Sequence, residues 1–211
     1  PALALSFWKR VLAIEPDADG YHALAKAALE EGRLDEAERR LAELRSRSPK
    51  HGGGWLLSGI VSMQRHRFAE AKTAFERAAT YGADRRKAKL GLGMAAMGLA
   101  ESAGAWELFL DVATEHPDDA ETLHWLLRAG TSLQRWEHLE RVLSQYVSRN
   151  PGDLSLRFAL AGVFLRLNRL TAARYEHDSI RLLDPVFDGL SELASAIDEK
   201  ESALTHHHAA R

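Results

Sequence analysis

Cysteine is absent from all 211 residues. Disulfides and thiolate metal sites are therefore excluded, and thiols say nothing about the redox state of the compartment. Long apolar runs are missing too, so no stretch is fit to span a bilayer and no membrane insertion is expected. An excess of one charge is also missing. Lys and Arg number 28 against 30 Asp and Glu, a formal net charge of −2. A nucleic-acid partner, which usually calls for a basic excess, is not expected. The first residues lack the basic-then-apolar pattern of a leader. They read instead as a helix already under way from Pro1, as if the sequence were a fragment or processed. The compartment expected is the cytoplasm, with the periplasm as the alternative.

Proline is scarce, and its few positions are informative. Of six, Pro1 stands apart, and Pro49, Pro117, Pro151 and Pro185 lie on a grid of 34 residues whose missed point is Ala83. Pro16 is one residue off the same spacing. Other series keep step with this one: Ala37, Ala71, Ala105, Leu139 and Ala173; Leu41, Phe75, Phe109, Leu143 and His177; Ala25, Gly59, Gly93, Leu127 and Ala161. Within one period, Leu34, Ala37, Leu41 and Leu44 recur at three and four residues and form an apolar helical stripe between Gly32 and Pro49. Small residues at the Ala25 series let two antiparallel helices approach closely. A single hairpin cannot bury its stripe, so stacked neighbours must complete one another's core.

A helix–turn–helix unit of this length resembles the tetratricopeptide repeat (TPR), whose pattern runs from an aromatic through Leu-Gly to Ala-x3-Phe and Pro. Trp55, Gly59 and Ala71-x3-Phe75 match it, as do Tyr21, Leu24, Ala37-x3-Leu41 and Pro49. The resemblance covers about residues 1–187. It predicts a half repeat at 1–16, then repeats at about 18–51, 52–85, 86–119, 120–153 and 154–187. The amphipathic run 188–204 is expected to be a capping helix, and 205–211, with its three histidines, a flexible tail or expression remnant. The implied fold is an all-α, right-handed solenoid of antiparallel hairpins. Ala4, Trp8 and Leu12 occupy second-helix slots of a unit whose first helix is missing. They predict either further repeats upstream or a homodimer contact.

In the family, the first helix of each unit lines a concave groove. The resemblance thus implies binding positions at His22 and Lys26; at Leu56, Ile60, Met63 and Gln64; at Leu90, Met94 and Met97; at His124, Arg128 and Thr131; and at Phe158 and Arg166. All three methionines fall on this face, and flexible thioethers suit surfaces that accept apolar partners. Lys26, Arg128 and Arg166 supply cations at its flanks. The expected partner is a peptide or protein segment with apolar anchors and an acidic end. The alternative for the methionines is gap-filling between neighbouring first helices.

The apparent catalytic motifs do not hold together. His51-Gly52-Gly53-Gly54 looks like an esterase oxyanion loop, but the chain has no G-x-S-x-G elbow, and Ser58 falls inside a helix. The grid makes these glycines a turn between repeats, free to take positive φ. Ser6 to Lys9 spells S-x-x-K without its companion motifs. The remaining histidines show no ligand-like spacing, and His177 reads as a core residue. Neither metal nor cofactor is expected. The expected function is a non-catalytic protein-interaction scaffold. Two rivals are the repeat arm of a larger bacterial enzyme, such as a glycosyltransferase or sulfotransferase, and an RNA-binding helical array.

Overall fold

The computed structural model of the protein describes residues 17–209, so Ala4, Trp8 and Leu12 lie outside the described residues. Eleven α-helices are found there, and no strand. They are α1 (Ala18–Glu30), α2 (Leu34–Arg47), α3 (Gly52–Gln64), α4 (Phe68–Thr80), α5 (Arg85–Gly98), α6 (Ser102–Glu115), α7 (Ala120–Ser132), α8 (Trp136–Arg149), α9 (Leu154–Arg166), α10 (Leu170–Leu183) and α11 (Leu190–Ala209). The second helix of each hairpin begins at 34, 68, 102, 136 and 170, a constant step of 34. The terminal helix continues past residue 204 into the stretch expected to be a tail. The helices form two compact units, one through Val112 and one from Ala113.

A backbone device closes each hairpin, and it recurs with the same period. Gly32, His66, Ala100, Gln134 and Asn168 all have φ between 56° and 74°. The next residue's N–H reaches back to a carbonyl five residues earlier: Arg33 to Ala28 and Arg67 to Ser62 at 2.8 Å, Glu101 to Ala96 at 2.9 Å, Arg135 to Gly130 at 2.8 Å, Arg169 to Phe164 at 2.9 Å. This is the Schellman ending of a helix, which satisfies carbonyls the helix leaves open. Only the first hairpin uses glycine, the residue that takes this conformation without cost.

Four of the five first helices start on side-chain caps, α7 being the exception. Asp17 accepts from Gly20 N at 2.7 Å, Asp84 from Lys87 N at 2.9 Å and Asp153 from Leu156 N at 3.1 Å. His51 does the same work: its Nδ1 accepts from Gly54 N at 2.9 Å. The triple glycine therefore differs from expectation. It forms the first turn of α3 and takes no positive φ. Its small size serves packing, because a Cβ on Gly52 would sit 2.5 Å from the Tyr81 carbonyl oxygen, and one on Gly54 2.6 Å from a Leu44 methyl.

In the first unit, Phe75 of α4 links one hairpin to the next. A Cβ on Gly59 of α3 would lie 2.5 Å from its ring, and a Cβ on Gly91 of α5 would lie 2.6 Å away. Phe75 is 2% exposed, and Phe109, against Gly93, is fully buried.

The second unit contains a buried ion pair. Arg157 of α9 donates to Glu176 of α10 at 2.6 Å, and its other nitrogens reach the Pro151 carbonyl at 3.1 and 3.3 Å. Burial pushes the Glu176 carboxyl above its usual range, although Arg157 pulls it down. His177 is buried beside this pair, as expected of a core histidine, with Nδ1 3.0 Å from the Asp178 carboxylate. Helix α11 packs on α10 through Leu190, Leu193 and Ile197. Arg174 pairs with Asp198 and Glu201, and Lys200 donates to the Leu165 carbonyl at 2.7 Å.

Two outcomes follow for stability. Gly59→Ala should cost about 1–3 kcal/mol by overpacking, in spite of alanine's better helix propensity. Combined with Phe75→Leu, which clears the same space, the loss should be smaller than the sum of the single losses. Urea midpoints of the four chains check this, and additive losses would mean that the ring and the glycine are not in steric contact. Arg157→Met, which strands a buried carboxylate, should cost about 3–5 kcal/mol at neutral pH, whereas Arg157→Met with Glu176→Leu should recover most of it. If the double variant were as unstable as the single one, the stranded charge would not be the cause.

Candidate binding surface

The predicted binding positions sit on the first helices of the hairpins. On α3, Leu56, Ile60, Met63 and Gln64 share one side by helical spacing. Leu56, Ile60 and Met63 are half-buried and pack, with Leu92, against Ala71, Phe75 and Ala95, while Gln64 is exposed. On α5, Met94 and Met97 are half-buried one turn apart. Leu90, expected on the same surface, is buried, because its position faces the packed interior. The first unit thus carries Leu56, Ile60 and three thioethers that are neither fully buried nor fully open. Their inner edges belong to the core and their outer edges are accessible.

Helix α1 supplies His22 and Lys26. Lys26 is exposed and lies 3.9 Å from Glu30. His22 is half-buried, with its ring centroid 5.1 Å from that of His51. Burial lowers its pKa first, and the neighbouring His51 adds to this against a smaller opposing pull from Asp19.

In the second unit, His124, Arg128 and Thr131 of α7 are exposed, as is Arg166 of α9. Both arginines rest on indoles, Arg128 5.4 Å from the Trp125 ring centroid and Arg166 5.8 Å from that of Trp136. These contacts hold the planar guanidiniums while leaving them charged and partly solvated. Phe158 is half-buried, its ring centroid 5.5 Å from that of Phe187 in the segment leading to α11. A Cβ on Gly189 would come within 2.9 Å of it, so the chain itself closes over part of Phe158.

Periodicity did not foresee one feature. Trp55 fills the family's aromatic slot, yet Arg45 from α2 and Arg77 from α4 converge on its ring. The three residues lie in different segments of sequence, and only folding brings them together.

A tetratricopeptide repeat family model matches residues 22–71 and 56–120. Residues 22–120 belong to the tetratricopeptide repeat family. The TPR hairpins α7–α8 and α9–α10 continue the same length and helix order. Solved structures with this fold include YrrB, a TPR protein described as having an unusual peptide-binding site, at 15% identity and a TM-score of 0.75, over 89% of this chain and 97% of that one. MamA from Desulfovibrio magneticus RS-1 matches at 18% identity and a TM-score of 0.71, over 81% and 97% of the two chains. The Pseudomonas aeruginosa pilF protein matches at 14% and 0.68, over 89% and 87%. At such identities the likeness is one of fold. No curated protein matches the sequence. The fold is that of a protein-interaction scaffold, and TPR proteins are in general not catalysts.

The His22 environment has a pH signature. Its folded pKa lies below the ordinary value of 6.5, so the unfolded chain takes up a proton first as pH falls. Stability from neutral His22 is present above pH 6.5 and is lost below it, down to the folded pKa. His22→Gln should lessen the drop in urea midpoint between pH values on the two sides of 6.5. An unchanged drop would mean that other histidines carry it.

Proposed function

We propose that this TPR chain is a non-catalytic scaffold that binds a peptide or protein segment on the surface of its first helices. Half-exposed Leu56, Ile60 and Met63 on α3, with Met94 and Met97 on α5, carry this reading. Long, flexible side chains adapt to apolar anchors of varied shape, and the nearby core limits the entropy lost on binding. His22 and Lys26 of α1 border this surface in sequence order, while Arg128 and Arg166 present cations in the second unit with His124 and Thr131 beside them. The matching segment has apolar anchors and an acidic end. YrrB's peptide-binding site, and the match to 39% of a chain from the APC/C hetero-tetramer Cut9–Hcn1 at 17% identity and a TM-score of 0.67, favour a protein ligand by analogy of fold.

The test is a chain with Met63, Met94 and Met97 all changed to Gln, titrated by fluorescence anisotropy with labelled amphipathic peptides that carry leucine anchors and an acidic end. Binding should weaken about tenfold or more while circular dichroism stays that of the parent, since a few central apolar residues carry most interface energy. Unchanged affinity in the folded variant would remove the methionine surface as the site.

A further inference from the structure

The opposite side of α3 holds a second concavity. Trp55, Ser58 and Ser62 are spaced so that they point away from Leu56, Ile60 and Met63. With α2 and α4 as walls, they bound a cleft of about 320 Å³. Two guanidiniums enter it. The Arg45 Cζ lies 5.3 Å from the Trp55 ring centroid, and the Arg77 Cζ 4.5 Å. Arg45 also donates from Nη1 to Ser58 Oγ at 2.6 Å, and that hydroxyl donates to the Gly54 carbonyl at 2.9 Å. The indole is fixed in turn, its Nε1 donating to the Pro49 carbonyl at 2.7 Å.

This arrangement crowds two positive charges into one small cleft, on one indole. Among the described residues neither Arg45 nor Arg77 forms an ion pair. Glu38 and Glu70 line the same cleft, but Arg67 engages both, at 2.9 and 3.2 Å. Burial lowers the pKa of Arg45, Glu38's charge pulls it back up, and Arg77's smaller effect lowers it again, so two like charges are held together at a desolvation cost. Stacking on an indole and one fixed hydroxyl hold the guanidiniums in place, and most of their donors remain for a planar anion.

We propose that this cleft receives the carboxylate of an Asp or Glu side chain from a partner protein, a contact separate from the methionine surface. A singly charged carboxylate has two oxygens and can accept charge-assisted hydrogen bonds from both guanidiniums. A phosphate dianion would meet the repulsion of Glu38 and Glu70 across the same small space. The apolar part of the lining, Leu41 and Val61, suits the methylenes of the side chain that bears the carboxylate.

The experiment is an NMR titration of the full chain with a hexaglutamate peptide. The Trp55 indole N–H resonance, assigned with Trp55→Phe, reports the site. The glutamate peptide should shift it saturably, and hexaglutamine should not. The Arg45→Gln, Arg77→Gln double variant should bind the peptide at least tenfold more weakly, and the triple methionine variant should bind it as the parent does. Because the parent titration stands by itself, the result does not depend on the double variant folding. The assignment is overturned if Trp55 does not respond, if glutamine serves equally, if a phosphoserine peptide binds more tightly than the glutamate one, or if a folded arginine variant keeps full affinity. Loss of glutamate binding in the methionine variant would merge the two surfaces and also overturn it.

Discussion

Phe75 lies where helices of two successive hairpins meet, and its ring occupies the space that side chains on Gly59 and Gly91 would take. The contact works only because two glycines, in different repeats, give up their side chains to one ring. A glycine within a helix costs roughly 1 kcal/mol against alanine. The buried aromatic area gained between hairpins offsets that cost, since a large ring buried in full contributes about 1.5–3 kcal/mol. Phe109 and Gly93 repeat the contact within the hairpin one period later, while Trp125 stands where the period would put a second glycine. In the first unit, successive hairpins are thus joined by a nearest-neighbour interlock.

The same constraint produces two kinds of surface on α3. Once Gly59 faces Phe75, the helix has no rotational freedom left. One side must then present Leu56, Ile60 and Met63, and the other Trp55 and Ser58. The first is apolar and adaptable. The second is polar, rigid and charged by arginines brought from the flanking helices. In the second unit the packing is of another kind. At the positions of the glycine–phenylalanine pair the sequence has Leu127, half-buried, and Leu143, buried, and the interior of this unit holds a buried Arg157–Glu176 bridge. Such a bridge is weak as a source of stability but severe when broken.

Much of this was legible in the residues. The 34-residue period, the all-α character and the stacking of hairpins follow from proline spacing, the apolar stripes and the small-residue series. The side of α3 and α5 proposed to meet a partner was read from the resemblance to the family, whose first helices line a groove. Leu90 departed from it because its depth depends on how a neighbouring helix leans, which periodicity does not carry. The closing turns were legible only at Gly32. At Ala100 and Gln134 an L-residue takes the left-handed conformation without any local signal, and at His66 and Asn168 with only the weak preference those residues have for it, each held there by the hydrogen bond that follows it. The triple glycine was legible as punctuation, not as a packing requirement.

What the sequence by itself determined is local and repetitive: helix length, the start of each hairpin, and which residue faces which side. These depend on spacing within about twenty residues, where the geometry of the helix leaves little choice. What only the tertiary structure decided is which distant groups share a space. Arg45, Trp55 and Arg77 on one indole, Arg157 against Glu176, and Phe187 over Phe158 are meetings between elements. Such meetings depend on the angle and depth of helix packing, and that is set by the whole set of side chains filling each interface.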